Sequence, residues 1–483
     1  MEDIINIGKR RELFWDDYMI DTEKTKTKAL QHEFAKQECV LRFDGPLGGD
    51  DCHILSLLDD GDKFRMYVHC STSKLYKERT CDNSGYVYAE STDGIHWDTP
   101  TLGQRELYGN KDNCYLFPKD KAPFDKGLDG FVVMKDTNPA CKEGEEYKAT
   151  AICDHKLMIF TSSDAIHFTQ KYVMTAEGQY DSNNTLMFDN ETGRYRCYYR
   201  VYHPDNRPAT MAWRRDIRVS ESEDLVNWSK PYCINFDDYM DWQLYMNGIS
   251  RYKRAPHIFV GFPTRYVERS ANEWQKCFEG LKAPEQRHEL YKLHGRAATA
   301  MSDSLFMVSR NGKDWKRYNE PILTAGPENG INWVYGSAYL SNVAIETKSI
   351  YSGCDNVLSM FAGENRWSGR PGEIYRYTMR LDGFVSQHAA WDASWSEPGI
   401  VTKPFIYDGS DLFINFATSA YGGVKIDLRS LSENRTIDSA EMFGDATDRK
   451  VRWVNGSPAE FAGQPVVMTF HMHDADVWSF RFE

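Results

Sequence analysis

No stretch of the 483-residue chain approaches the roughly 20 consecutive apolar residues that a membrane-spanning helix needs, so a membrane partner is not expected. Basic residues are in deficit: 58 Lys and Arg against 71 Asp and Glu leave a formal net charge of −13. A surface that tracks phosphates needs a basic face, so no nucleic-acid partner is expected. There is no GxGxxG, Walker loop, HExxH or CxxC pair, which removes support for dinucleotide, nucleotide and zinc chemistry. No nucleophile-elbow signature supports a Ser/His/Asp triad. The first residues, MEDIINIGKRRELFWDDY, lack the apolar core of a signal peptide. The eleven cysteines, an odd number, are scattered through strand-like runs. Reduced, buried thiols and a cytoplasmic location are therefore expected.

Aromatic residues, by contrast, make up 14% of the chain, and Gly, Asn and Asp are plentiful. That balance favours strands and tight turns over helices. At this length a large domain plus a smaller one is expected. A repeating hairpin organises the larger part. Asp51, Asp129 and Asp181 each lead into an apolar run that ends seven or eight positions later at Asp59, Asp136 or Asp189. A turn and a second strand rich in apolar or aromatic residues follow each time. A second signature recurs in Ser91/Asp93/Trp97, Ser162/Asp164/Phe168, Ser222/Asp224/Trp228 and Ser309/Asn311/Trp315. Its physics is a tight turn: Ser and Asp side chains bond nearby amides, one position accepts φ > 0, and the aromatic packs outward from the next strand.

Hairpin followed by hairpin gives four antiparallel strands per unit. Five such units are best buried by radial closure, which also removes open sheet edges. The chain is thus expected to be all-β: a five-bladed β-propeller in residues 1–390, with an N-terminal extension, then a C-terminal β-sandwich in residues 391–483, where short alternating strands recur. In a propeller the first strand of every blade starts on one face of the channel. Asp51, Asp129 and Asp181 are therefore expected at the channel mouth as catalytic groups, while Asp59, Asp136 and Asp189 fall at the far turns as structural carboxylates. Asp50, His53, Arg200, Tyr245, Asn247, Arg265, Trp333, Tyr335, Glu364 and Asn365 are expected to surround the substrate, with His69, Trp213 and Trp367 nearby. Gathered carboxylates raise at least one pKa, leaving an acid and a base for glycosidic bond cleavage. No cofactor is expected; a channel calcium would sit by His53, Asp50 and Asp51. His471 and His473 read as a polar strand face.

The strand-start acids, the Ser-x-Asp-Gly-x-x-Trp turns and a trailing sandwich ending DADVWSFRFE resemble the five-bladed-propeller glycosidases, including the arabinanase/β-xylosidase and invertase/levansucrase families. The resemblance implies a glycoside hydrolase in which Asp51 is base or nucleophile, Asp129 a stabiliser and Asp181 the proton donor, with Glu364 in reserve. Invertases carry Trp-Met-Asn-Asp-Pro and Arg-Asp-Pro where this chain has GGDDCH and GLDGF, and their donor is Glu rather than Asp. The expected substrate is a small oligosaccharide or glycoside. The alternatives are a non-catalytic carbohydrate-binding propeller, or a glycosyl transferase or phosphorylase using Arg200 and Arg265. Oligomeric state is open.

Overall fold

The computed structural model describes residues 4–44, 48–73, 75, 85–118, 123, 127–202, 214–269, 279–330 and 332–483. It is nearly all-β, with its strands in a propeller arrangement of small sheets beside one ten-stranded sheet. The first small sheet runs Asp51–Asp59, Phe64–Ser71, Gly85–Ser91. The second is Asp129–Lys135, Tyr147–Cys153, Lys156–Ser162, Thr169–Val173. Thr185–Asp189, Arg194–Tyr202, Arg215–Ser222 and Tyr232–Cys233 form the third. The fourth is built on Ser250–Tyr252, Ala255–Gly261, Ala300–Ser309 and Asp314–Leu323. In the fifth, Ile345–Thr347, Val357–Glu364 and Gly372–Arg380 are completed by Ala35–Phe43, so a strand from the start of the chain closes the ring.

Hydrogen bonds between neighbouring sheets hold that ring shut. Ser56 Oγ accepts from Val133 N at 2.9 Å and joins the first sheet to the second. Thr150 Oγ1 donates to Asn184 O, joining the second to the third. Leu57 N donates to Asn342 Oδ1 at 2.8 Å, and Gly372 N to Gly49 O at 2.6 Å, joining the first to the fifth. Ile258, Val260, Phe306, Leu340 and Met360 pack the fourth against the fifth. Fully burying each such side chain contributes roughly 1.5–3 kcal/mol.

The recurrent turns form as their chemistry dictates. Asp93 Oδ1 accepts from the amides of Ile95 and His96, and Asp164, Asp224 and Asn311 repeat the pattern. Gly94, Ala165, Leu225 and Gly312 all take positive φ. The aromatic, however, packs against the core rather than outward: Trp315 and Phe168 are buried, and Trp97 and Trp228 half-buried, because apolar area gains more inside than at the rim. A second correction concerns the third sheet. Its first strand starts at Thr185, not at Asp181; residues 181–184 form a turn in which Asn184 Nδ2 donates to the carbonyls of Tyr180 and Ser182.

The ten-stranded sheet is dominated by two long partners, Leu412–Ser430 and Val466–Phe482. Ile5–Gly8, Glu12–Leu13 and Lys28–Gln31, from the N-terminal extension expected to go with the propeller, hydrogen-bond into this sheet instead, as does Val385–Ala389. Asp382, fully buried, ties the two regions together. It accepts from Tyr252 OH at 2.6 Å, Arg254 Nε at 2.8 Å, Ser479 Oγ at 2.7 Å and Arg11 Nη1 at 3.2 Å.

Candidate active site

The first strands of the first and second sheets start on one face and run to the other, so Asp51 and Asp129 open into the same cavity, about 680 Å³ in volume. Its wall also carries His53, His69, Asp154, His155, Ser182, Asn183, Tyr245, Tyr335, Tyr339 and Arg366.

Asp51 is the most constrained carboxylate here. The Arg366 Nε lies 2.7 Å from Oδ1, an ion pair whose angle misses hydrogen-bond alignment. Trp367 Nε1 donates to Oδ2 at 3.2 Å, and Ser71 Oγ at 3.3 Å. Burial works to raise the Asp51 pKa, but the Arg366 guanidinium, helped by His53 and His69, outweighs it and holds the carboxyl well below the usual range. The expectation that mutual repulsion raises a carboxylate pKa thus fails at Asp51, because a cation was placed beside it.

The Arg366 loop is built to deliver that cation. Asn365 and Trp367 take φ of 64° and 54°, strained values for residues with a side chain. Asp50 anchors the loop: its backbone oxygen accepts from Trp367 N at 2.6 Å, and its Oδ2 from Gly369 N at 2.9 Å. Gly336, at φ 84°, lies so close to Arg366 that an added Cβ would fall 1.9 Å from Nη1. Tyr335, Tyr339 and Trp367 rings surround the guanidinium at 4.7, 5.7 and 4.8 Å.

His53 and His69 face each other with ring centroids 5.0 Å apart. Burial and the neighbouring His53 push the His69 pKa down to about 4, against the pull of Asp51 and Asp129, so His69 is neutral at pH 7. Burial, with Tyr335, Asp181 and Asp129 adding to it, keeps Tyr245 protonated. Among the described residues, the buried atoms His69 Nδ1, Ser182 Oγ and Arg366 Nη1 around the cavity have no hydrogen-bond partner, while His53 Nδ1 faces Asp51 Oδ1 at 3.6 Å. Among the described residues no three His, Cys, Asp or Glu side chains are grouped to hold a metal ion.

The other expected site residues lie elsewhere. Asp181, off the strand, does not line the cavity; its side chain is 69% exposed at the rim and accepts from Arg200 Nη2 at 3.2 Å. Arg200 is buried behind it, its Nε donating to Gln179 O. Asp50 is fully buried, with Ser73 N and Oγ donating to it at 2.6 and 2.5 Å, and serves the loop rather than a ligand. Asn247 joins the third and fourth sheets through Thr185 Oγ1 and the carbonyls of Asn183 and Tyr198. Arg265 is clamped in a bidentate pair with Asp303 at 2.9 and 2.6 Å, which leaves no Arg200–Arg265 phosphate clamp. Trp333 lines a separate cavity of about 470 Å³ and donates to Gly326 O. Glu364 pairs with Lys36 at 2.6 Å and accepts from Tyr377 OH, and Asn365 Nδ2 donates to Glu373, so neither reaches the cavity. Trp213 lies outside the described residues.

Arg366, Tyr339, Asp154 and His155 were not expected. Arg366 is the residue next to the pair Glu364 and Asn365, and nothing local marks it over them. Asp154 and His155 form a two-residue hairpin turn with φ of 51° and 60°. Such turns favour Asn-Gly or Asp-Gly, so Asp154 is at home there and His155, at positive φ where Gly is preferred, is the readable departure.

Comparison with known proteins finds no matching family and no matching curated protein. Among solved structures, the chain is similar to an N-acetylgalactosamine deacetylase from F. plautii in complex with blood group B trisaccharide, at 10% identity and TM-score 0.43, covering 74% of this chain and 95% of that one. It is similar also to a fructofuranosidase from Schwanniomyces occidentalis complexed with fructosylnystose, at 9% identity, TM-score 0.38 and coverage of 95% and 98%. A third is the GH93 alpha-L-arabinofuranosidase of Fusarium graminearum with arabinobiose, at 10% identity, TM-score 0.39 and coverage of 72% and 99%.

Proposed function

We propose that the chain is a glycoside hydrolase that takes a small oligosaccharide or glycoside into the Asp51 cavity. One observation carries this reading: among the described residues, three buried polar atoms without partners, His69 Nδ1, Ser182 Oγ and Arg366 Nη1, surround a cavity lined by carboxylates and tyrosines. An unpaired buried polar group costs about 1–3 kcal/mol, and a polyhydroxylated ligand supplies the missing partners. Aromatic rings suit the C–H faces of a sugar, and carboxylates such as Asp51 and Asp129 suit the chemistry of its linkage.

In this reading Asp51, held ionised by Arg366, attacks the anomeric carbon or draws a proton from water. Asp129, a second carboxylate of the cavity wall beside Asp154, protonates the leaving oxygen. Asp181 orients Arg200 at the rim. His69, neutral, and Tyr245, protonated, bond hydroxyls. The five small sheets are read as five blades and the ten-stranded sheet as a sandwich folded through its long strands, which takes in residues 5–31 as well as the C-terminal region. The substrate is small and cytoplasmic, and neither nucleic acid nor a resident cofactor is involved. A screen of aryl glycosides, with Asp51→Asn and Asp129→Asn as controls, tests the reading; full activity in both variants would sink it.

One observation favours the second reading, a carbohydrate-binding propeller without turnover. Of the three expected acids, Asp181 stands outside the cavity and Asp51 is locked in its ionised form, which leaves Asp129 as sole donor among them. Calorimetric binding of a sugar that no condition hydrolyses would select that reading.

A further inference from the structure

We propose that the outer face of the ten-stranded sheet around Tyr421 is a second carbohydrate-binding site, separate from the channel. Between the two long strands the register jumps: Thr418 lies opposite Ala475, but Gly423 lies opposite His473. Residues 419–422 therefore leave the ladder as a wide bulge, which lifts Tyr421 to 72% exposure. Bulges re-aim side chains in this way, often at binding sites. Across from the bulge, Val424 pairs with Met442 and Thr418 N donates to Gly444 O, so Phe443, 69% exposed, faces it. Val424, Met442 and Met472 point into the core; by strand alternation Gly423, Phe443 and His473 share the outer face.

Trp395 packs close to Gly423, where an added Cβ would meet the indole at 2.9 Å. Lys425 Nζ sits 4.7 Å from the Trp395 ring and pairs with Glu441 at 3.3 Å. His473 is stacked against Trp395 at 5.8 Å and met edge-on by Tyr421 at 4.4 Å. Although His473 is 94% buried, its Nε2 has no hydrogen-bond partner. Its Nδ1 lies 2.7 Å from Ala393 O, so that nitrogen carries the proton, and in the neutral ring Nε2 is left as an acceptor. The site thus combines the exposed Tyr421 and Phe443 rings, the half-buried Trp395, one buried acceptor that needs a hydroxyl donor, and a half-exposed ion pair. An apolar partner would leave the acceptor unmet, and an acidic or basic one would contend with a paired Lys–Glu. A sugar supplies both C–H faces and hydroxyl donors.

The test is calorimetry and sedimentation velocity on the full chain, with xylo-, arabino- and fructo-hexasaccharides as probes, in an Asp51→Asn background that prevents turnover. At least one probe is expected to bind. Tyr421→Ala and Trp395→Ala should each weaken it about tenfold, roughly 1.4 kcal/mol, with Trp395→Phe close to the parent and the melting curves unchanged. Absence of binding by all three probes overturns the proposal, as does binding weakened by Arg366→Met but indifferent to Tyr421→Ala and Trp395→Ala. A sedimentation coefficient that falls in those two variants would show instead that a second copy of the chain covers the patch. The proposal stands apart from hydrolysis in the channel: a parent chain with Asp51 intact that binds through Tyr421 yet cleaves no glycoside upholds it and sinks the hydrolase reading.

Discussion

Asp51 and Asp59 begin and end one strand, yet they stand in different chemical worlds. At the Asp51 end the cavity is polar and several of its donors and acceptors are unpartnered. At the Asp59 end a second cavity, about 560 Å³, is floored by Leu57, Val133, Met134, Leu186 and Phe188. Carboxylates there are matched by cations: Asp59 with Lys253 at 2.6 Å, Asp136 with Lys148 at 2.8 Å, and Asp189 with Arg196 at 3.1 Å. The inner strands of the first two sheets thus present cavity carboxylates, Asp51 and Asp129, at their starts and ion-paired ones, Asp59 and Asp136, near their far turns. The difference lies in what distant segments place opposite them: the strained loop carrying Arg366 at one end, and ordinary ion pairs at the other.

The largest expected effect is at the polar end. Asp51→Asn should lower turnover about a thousandfold, the scale of losing a group that acts in the transition state. Lys253→Ala, at the far end, should leave turnover within twofold; equal losses in the two variants would erase the distinction between the ends. Asp129→Asn should cost about a hundredfold and Asp181→Asn less than tenfold, as steady-state kinetics would show. The reverse order would restore Asp181 as proton donor.

Acid should act on the same end. The folded pKa of His69, about 4, lies below its ordinary 6.5, so on acidification the unfolded chain takes up the proton first. This contribution is whole above pH 6.5 and is lost as pH falls toward 4, by up to about 3 kcal/mol. Urea unfolding at pH 7 and pH 4.5 should show the slope, and His69→Gln should flatten it. Asp51, with its pKa depressed, adds stability that declines only below its ordinary 3.8. The smallest effect is expected at a remote turn. Asp164→Ala removes an acceptor of two amides and should cost about 1 kcal/mol in thermal melts with turnover unchanged.

Much of the fold was legible because its signals are local. The Asp-led apolar runs became Asp51–Asp59 and Asp129–Lys135, and the Ser/Asp turns formed with the bonds their side chains allow. Where the pattern misled, a local competitor was at work. Asp181 keeps the spacing of the other two acids, but Asn183 and Asn184 follow it, and the Asn184 side chain bonds the backbone into a turn before the strand can begin. Arg366 was passed over for Glu364 and Asn365, since choosing among three adjacent residues depends on backbone angles that no spacing records.

By itself, then, the order of residues determined the strands, their turns, and that Asp51 and Asp129 meet in one cavity, because alternation and turn chemistry act over a few neighbours. That Asp51 is held ionised, which cation faces it, and that the start of the chain completes both the fifth sheet and the ten-stranded one were decided only in three dimensions. Those outcomes depend on pairings across more than three hundred residues, such as Asp51 with Arg366 and Phe43 with Gly372. Electrostatic and packing energies at such contacts depend on distance in space, which separation along the chain does not encode.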